Sequence, residues 1–363
     1  MFYNKYIIKI AGLAIVAMSL GSCKKDFLEV VPKGVAIATK TSDYELLLNS
    51  GLNGIGRASN VVMSDELAGY APLYSVGGAG IAQVSDQKAF EYQDDIYLPI
   101  EKDAELTQLE RQLYTYNKII NEVMDSKEGS DAQKKAIRAE ALAGRAWVNF
   151  TLVNYYGKPY KAATAASDPG IPLATVADVT QTSFTRASVK AAYELIIADL
   201  TTAIADIPVQ IISRQRMSRS AAEAILGKVY VNMQAFDKAL PLFTSSIKNL
   251  STSSIPIGLY DFNAAFAAGG SFLPLNPITG PSRVLLSNDK EVLYLKNFIN
   301  YYGYISSSFP ISRQTAELYS AADLRLNFFT ALPALSTTAY SNHIMRCYGR
   351  YTNMGINVPA IYV

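Results

Sequence analysis

Apolar residues recur along this chain at alternating intervals of four and three. Leu109, Leu113, Tyr116, Ile120 and Val123 form one such stripe. Ala139, Ala143, Ala146, Phe150 and Val153 form a second, closed by Gly157 and Pro159, and Val189, Tyr193, Ile196, Leu200 and Ala203 form a third, with Pro208 beyond it. This is the spacing of one face of an α-helix, so each segment is predicted to be an amphipathic helix. The small residues of the second stripe allow a neighbouring helix to come close. Further on, Ala222, Leu226, Val229 and Met233 lead through a short turn at Gln234-Ala235 into Phe236, Leu240, Phe243 and Ile247, a helical hairpin. The signatures Ser42-x-x-Glu45 and Ser220-x-x-Glu223 predict capping boxes at the starts of two helices, the first running through Tyr44, Leu47 and Leu48. Repeated stripes of this kind predict stacked helical hairpins, with a core that includes Trp147, Phe150, Leu226, Val229, Phe236, Leu240 and Phe243.

Two long segments break the pattern. Residues 51–100 are rich in glycine and hold Tyr70, Tyr74, Tyr92 and Tyr97; residues 250–312 are rich in glycine and proline and hold Tyr301, Tyr302 and Tyr304. Structureless stretches of this length inside a compact domain are usually functional or disordered, and their embedded aromatics favour order.

The N-terminus carries a different message. Lys5 and Lys9 precede the apolar run IAGLAIVAMSL, which ends in Leu20-Gly21-Ser22-Cys23. That run is too short for a permanent membrane span, and small residues stand before a cysteine, the form of a lipoprotein cleavage site. Residues 1–22 therefore read as a signal peptide. Acylation of Cys23, by palmitate or similar chains, would give an anchor that one chain alone does not. Residues 23–41 read as a lipid-anchored tether and lead-in in which Phe27, Leu28, Val30 and Val31 dock on the domain. The remainder, residues 42–363, reads as one domain.

Composition narrows the chemistry. A net charge of +2 gives no field that points to nucleic acid. Cys347 is the only cysteine beyond Cys23, which leaves no internal disulfide or cysteine metal cluster. His343 is the only histidine, so a Ser-His-Asp triad or a multi-histidine metal site lacks raw material, and its expected role is structural. The loops lack a D-x-D-x-D-G calcium motif. No cofactor, metal or catalytic residue is expected. The 24 tyrosines, against one tryptophan, suit a surface that meets sugars through flat amphipathic rings.

The segment Ala221 to Leu250 reads like a tetratricopeptide hairpin: Leu226-Gly227-x-x-Tyr230 in its first helix, then Phe236, with Ala239 where the helices meet. Around it the motifs DFLEVVPKG, TSDYELLLNS, SDELAGY, FEYQDDIY, LYTYNKIINEV, IRAEALAGRAWVNFTLVNYYGKPY, DPGIPL, SNDKEVLYLKNF, AELYSAADLRLNFF and GINVPAIYV follow in collinear order. This succession resembles the SusD/RagB family of Bacteroidetes nutrient-binding lipoproteins over essentially the whole mature chain. The resemblance implies a mainly α fold: a tetratricopeptide-like helical scaffold decorated with long irregular loops. It implies an outer-membrane, lipid-anchored protein at the cell surface that binds a glycan or other nutrient in polysaccharide utilisation. It also implies a SusC-like TonB-dependent transporter as partner, and binding rather than catalysis. Two departures are visible. Family members continue past a motif like Val358-Pro359-Ala360-Ile361-Tyr362 with a further hairpin, so the domain reads as cut short. Lys24 and Lys25 precede Asp26 where an acidic run often follows the lipid-bearing cysteine.

Three functions compete on these residues. In the first, Tyr70, Tyr74, Tyr301, Tyr302 and Tyr304 stack on sugar rings while nearby Asp, Asn and Arg groups bond the hydroxyls. In the second, the scaffold is a protein-binding adaptor. In the third, a glycosidase draws its two carboxylates from Asp65-Glu66 and Asp94-Asp95.

Overall fold

The computed structural model describes residues 37–50, 52, 54–57, 62–68, 84–275, 281–282, 289–299, 311–331, 343–347 and 357–359. Residues Lys40–Val363 form one compact unit. It is built mainly of helices: α1 (Thr41–Leu48), α2 (Val84–Phe90), α3 (Ala104–Glu122), α4 (Asp131–Tyr156), α5 (Val189–Asp206), α6 (Arg219–Asn232), α7 (Phe236–Asn249), and the short α8 (Phe262–Ala265) and α9 (Arg313–Ala316). From α3 to α7 each helix packs on the next.

The predicted stripes face this stack. Leu109, Leu113, Tyr116, Ile120 and Val123 are buried, as are all five stripe residues of α5. On α4 the alanines and Val153 are buried, whereas Phe150 is half-buried and meets Tyr193 of α5 edge-on, centroids 6.1 Å apart. Close approach depends on missing side-chain atoms. A Cβ at Gly144 of α4 would overlap the Tyr116 ring of α3, and one at Gly227 of α6 would lie 2.7 Å from the Phe243 ring of α7.

Helix starts use other residues than expected. The Ser42/Glu45 box does not form: the Lys40 amide donates to Asp43 Oδ2 at 2.8 Å, and Glu45 lies 3.6 Å from Arg216. Nor does the Ser220/Glu223 box. Ser218 caps α6 by accepting from the Ala221 amide at 3.2 Å, while Ser220, already inside the helix, donates to the Ser246 carbonyl of α7. Glu223 accepts from Ser245 and Asn249, so it fastens α6 to α7. The reciprocal box occurs instead at Ser130 and Gln133 of α4.

The hairpin itself is as predicted, with Gln234 turning the chain at φ 59°. The phase of α7 is not. Ala239 and Ser246 are buried and Phe243 is half-buried, but Phe236 and Leu240, expected in the core, are 62% and 68% exposed, and Ile247 is 69% exposed. Small side chains let α7 sit close against α6, and that contact turns the apolar stripe outward. Trp147, Leu226 and Val229 are buried as expected.

The irregular segments carry structure of their own. In the later one, Tyr260, Phe262, Phe266 and Phe272 form a ring cluster with Phe328 from further along the chain, centroids 4.9 to 6.2 Å apart. Two small sheets join distant parts of the chain. In one, β1 (Gly54–Arg57) runs parallel to β2 (Asn297–Ile299), which is antiparallel to β6 (Asn357–Pro359). In the other, β5 (His343–Cys347) lies between β3 (Ile311–Ser312) and β4 (Phe329–Ala331). Among the described residues no helix is long and apolar enough to cross a membrane.

Candidate functional site

Cys23, Tyr70, Tyr74, Tyr301, Tyr302 and Tyr304 lie outside the described residues. What is described is how the chain on either side of those tyrosines is held. Gly54 pairs with Asn297 and Ile55 with Phe298, which aligns the start of the first irregular segment with the residues before Tyr301. Leu67, three residues before Tyr70, bridges Ile311, seven residues after Tyr304, and the Ser312 amide donates to the Glu66 carbonyl at 2.8 Å. The chain leading into Tyr70 and Tyr74 is thus fastened to both flanks of the stretch that carries Tyr301, Tyr302 and Tyr304.

A buried lysine ties this junction to the helices. Lys296, at 0% exposure, donates to the Leu52 carbonyl, to Gln112 Oε1 at 3.2 Å and to Tyr116 Oη at 3.3 Å. Its ammonium also lies 4.5 Å from the Trp147 ring centroid and 5.4 Å from that of Tyr294. Every hydrogen-bond acceptor here is neutral, and burial lowers the lysine from 10.5 to about 7. Burial raises the phenols of Tyr116 and Tyr294 as well. Nothing in the local sequence LYLKNF announces a buried cation.

A cleft of about 480 Å³ lies between α3, the end of α4 and the segment 171–186. Its floor is aliphatic, from Leu106 and Leu113 of α3, Leu152 of α4, and Ile171 and Pro172. Tyr114 and Phe184 stand at its walls, 39% and 53% exposed. Glu110, Asp178, Gln181 and Arg186 supply the polar lining. Burial, then the nearby Asp103, raises the Glu110 carboxyl. Hydrogen bonds from the Thr180 hydroxyl and amide lower that of Asp178. Tyr156 closes one end, its hydroxyl donating to Asp103 Oδ2 at 2.5 Å; burial and this bond raise the phenol. The sequence reading missed this cleft. The only signal was that Leu106, Leu113 and Tyr114 extend the apolar face of α3 on a second side.

The carboxylate pairs considered for glycoside hydrolysis lie at the surface. Asp65, Glu66, Asp94 and Asp95 are all exposed, and Glu66 accepts the Ser64 hydroxyl. Strand β5 contains His343, whose backbone pairs with Ser312.

Residues 26–231 match the family model described as starch-binding, associating with outer membrane. The chain belongs to the SusD-like (SusD/RagB) family. Solved structures agree on the fold. A SusD superfamily protein from Bacteroides thetaiotaomicron superposes with a TM-score of 0.63 at 18% identity, over 85% of this chain and 69% of that one. A SusD superfamily protein from Bacteroides vulgatus gives 0.60 at 18% identity, over 89% and 72%. A SusD-like carbohydrate binding protein from the same species gives 0.60 at 15%, over 89% and 69%. Likeness at this identity speaks for the fold, and the mainly helical, tetratricopeptide-like architecture of this SusD-like chain is accordingly established. No curated protein matches it.

Proposed function

We propose that this protein is a cell-surface lipoprotein of the outer membrane, anchored through Cys23, that binds a glycan and passes it to a TonB-dependent transporter of the SusC type. It acts by binding, not catalysis. The observation that carries the reading is the pairing of loop stems: Leu67 with Ile311, and β1 with β2. Two segments far apart in sequence, each bearing tyrosines, are tied together on a helical base. Tyr70 and Tyr74 would share a platform with Tyr301, Tyr302 and Tyr304, their faces stacking on sugar rings while their hydroxyls bond at the edge. Membership of a family described as starch-binding supports a carbohydrate ligand. The outward stripe of Phe236, Leu240 and Ile247 supports protein contact by the scaffold.

A glycan array on the purified protein identifies the ligand, and calorimetry then compares Tyr→Ala variants. Each platform ring lost is expected to weaken binding several-fold, from a stacking contribution of about 0.5–1.5 kcal/mol. In the same variant set, Phe236→Ser/Leu240→Ser is expected to retain glycan affinity while losing co-purification with the transporter. Unchanged affinity with all five tyrosines replaced in a folded protein overturns the platform.

A further inference from the structure

The cleft between α3, α4 and segment 171–186 lies apart from the loop stems, and its chemistry differs from that of a sugar platform. A pyranose carries hydroxyls around its whole edge. Seated on Leu106, Leu113, Leu152, Ile171 and Pro172, it would strand several of them without partners, at a cost each time. A flat aromatic body would not. It would cover that floor and meet the rings of Tyr114 and Phe184, whose exposure leaves their faces open.

The polar lining narrows the ligand further, because several of its donors are already committed. Asn117 gives its amide hydrogen to the Ala174 carbonyl at 2.9 Å and its oxygen accepts from Arg145 at 3.0 Å. Arg186 donates to the carbonyls of Gly170, at 2.7 Å, and Tyr156. The Tyr156 hydroxyl is spent on Asp103 and the Gln181 amide on the Ser183 carbonyl at 3.3 Å. What remains toward a ligand is acceptor capacity at the carboxylates of Glu110 and Asp178, and donor capacity in the N–H groups of Arg186 that its two bonds leave over. Such a rim meets hydroxyl groups both as acceptor and as donor. A volume of about 480 Å³ falls within the range of about 300–1,000 Å³ common for small-molecule sites.

The geometry points to a second binding site in this cleft, for a hydroxylated aromatic molecule such as an aryl glycoside, its ring on the aliphatic floor between Tyr114 and Phe184 and its hydroxyls toward Glu110, Asp178 and Arg186. This goes beyond the glycan platform and does not depend on it.

Esculin, a neutral coumarin glucoside that fluoresces, is a direct probe. Titrating the purified protein into esculin should give a saturable rise in anisotropy. Phe184→Ala and Tyr114→Ala, both at exposed positions that leave the core intact, should each weaken it about fivefold. Tyr301→Ala/Tyr302→Ala should leave it unchanged, and coumarin, which lacks the hydroxyls, should bind more weakly than esculin. Absence of saturable binding overturns the site. So does binding that survives both cleft variants, or binding lost in the Tyr301/Tyr302 variant. Coumarin binding as tight as esculin overturns the role assigned to the polar rim.

Discussion

Two of the cations buried among the described residues, Arg145 and Lys296, are held in opposite ways. Arg145 of α4 has a carboxylate: its Nε and Nη2 reach Asp199 of α5 at 2.8 Å each, and Nη1 donates to Asn117 of α3 at 3.0 Å. Lys296 has neutral acceptors and aromatic faces alone. The first sits where three regular helices meet, the second where irregular chain joins the stack. A planar fork fits two carboxylate oxygens at once and fixes helix against helix. A point charge on a flexible stem reaches acceptors on several segments, including a loop carbonyl at residue 52. The difference assigns the arginine to the scaffold and the lysine to the attachment of the loops.

Breaking the arginine pair should have the largest effect. Burial raises the Asp199 carboxyl while Arg145 pulls it down, so its charge depends on its partner. Arg145→Met strands that carboxylate, and a loss of about 3–5 kcal/mol is expected in urea unfolding. Arg145→Met/Asp199→Leu should recover most of it. Equal losses in the single and double variants would show that side-chain shape, not charge pairing, holds α4 to α5.

The lysine should respond to pH instead. Its folded-state value of about 7 lies below the 10.5 of the unfolded chain. Between these values the unfolded chain carries a proton the folded one has shed, so stability rises with pH through this window and falls as pH drops towards 7. Lys296→Met removes the term. Relative to that variant, the wild type should gain about 2–4 kcal/mol between pH 7 and pH 10. The raised phenols of Tyr116 and Tyr294 remain in both proteins and largely cancel in the difference. A difference that stays flat across the window would mean the ammonium is charged in the folded state throughout.

How these sites read from sequence follows the same division. The stripes of α3, α4 and α5 were legible because a helix repeats its buried face every three or four residues, and the alanines of the second stripe announced close packing. The phase of α7 was not. Its apolar residues repeat correctly, but Gly227 meeting Phe243, with Ala239 and Ser246 beside it, decided which side faces α6. The capping signatures failed for a similar reason: a Ser with a Glu three residues on is ambiguous when another serine stands two residues earlier, as Ser218 does before Ser220. Pairing of Leu67 with Ile311 leaves no local mark at all, nor does the cleft, assembled from helix faces and a segment more than fifty residues away. Family resemblance carried the architecture. Only the structure could show that the stems of the two loops meet.

A third buried polar group completes the series. Asn149 lies one helical turn beyond Arg145 on α4 and is fully buried, yet neither its amide nitrogen nor its oxygen has a hydrogen-bond partner among the described residues. Arg145 has a charged partner and Lys296 neutral ones; Asn149 has neither, so it carries its desolvation cost without return. Leucine has the same branching and number of side-chain heavy atoms as asparagine but nothing to desolvate. Asn149→Leu is therefore expected to stabilise the fold by about 1 kcal/mol, the smallest of the three effects and the only gain. Urea unfolding measures it, and the unfolding slope should stay constant if the compact state is unchanged. A loss of comparable size would place a partner on the Asn149 amide and move this residue into the same class as the other two.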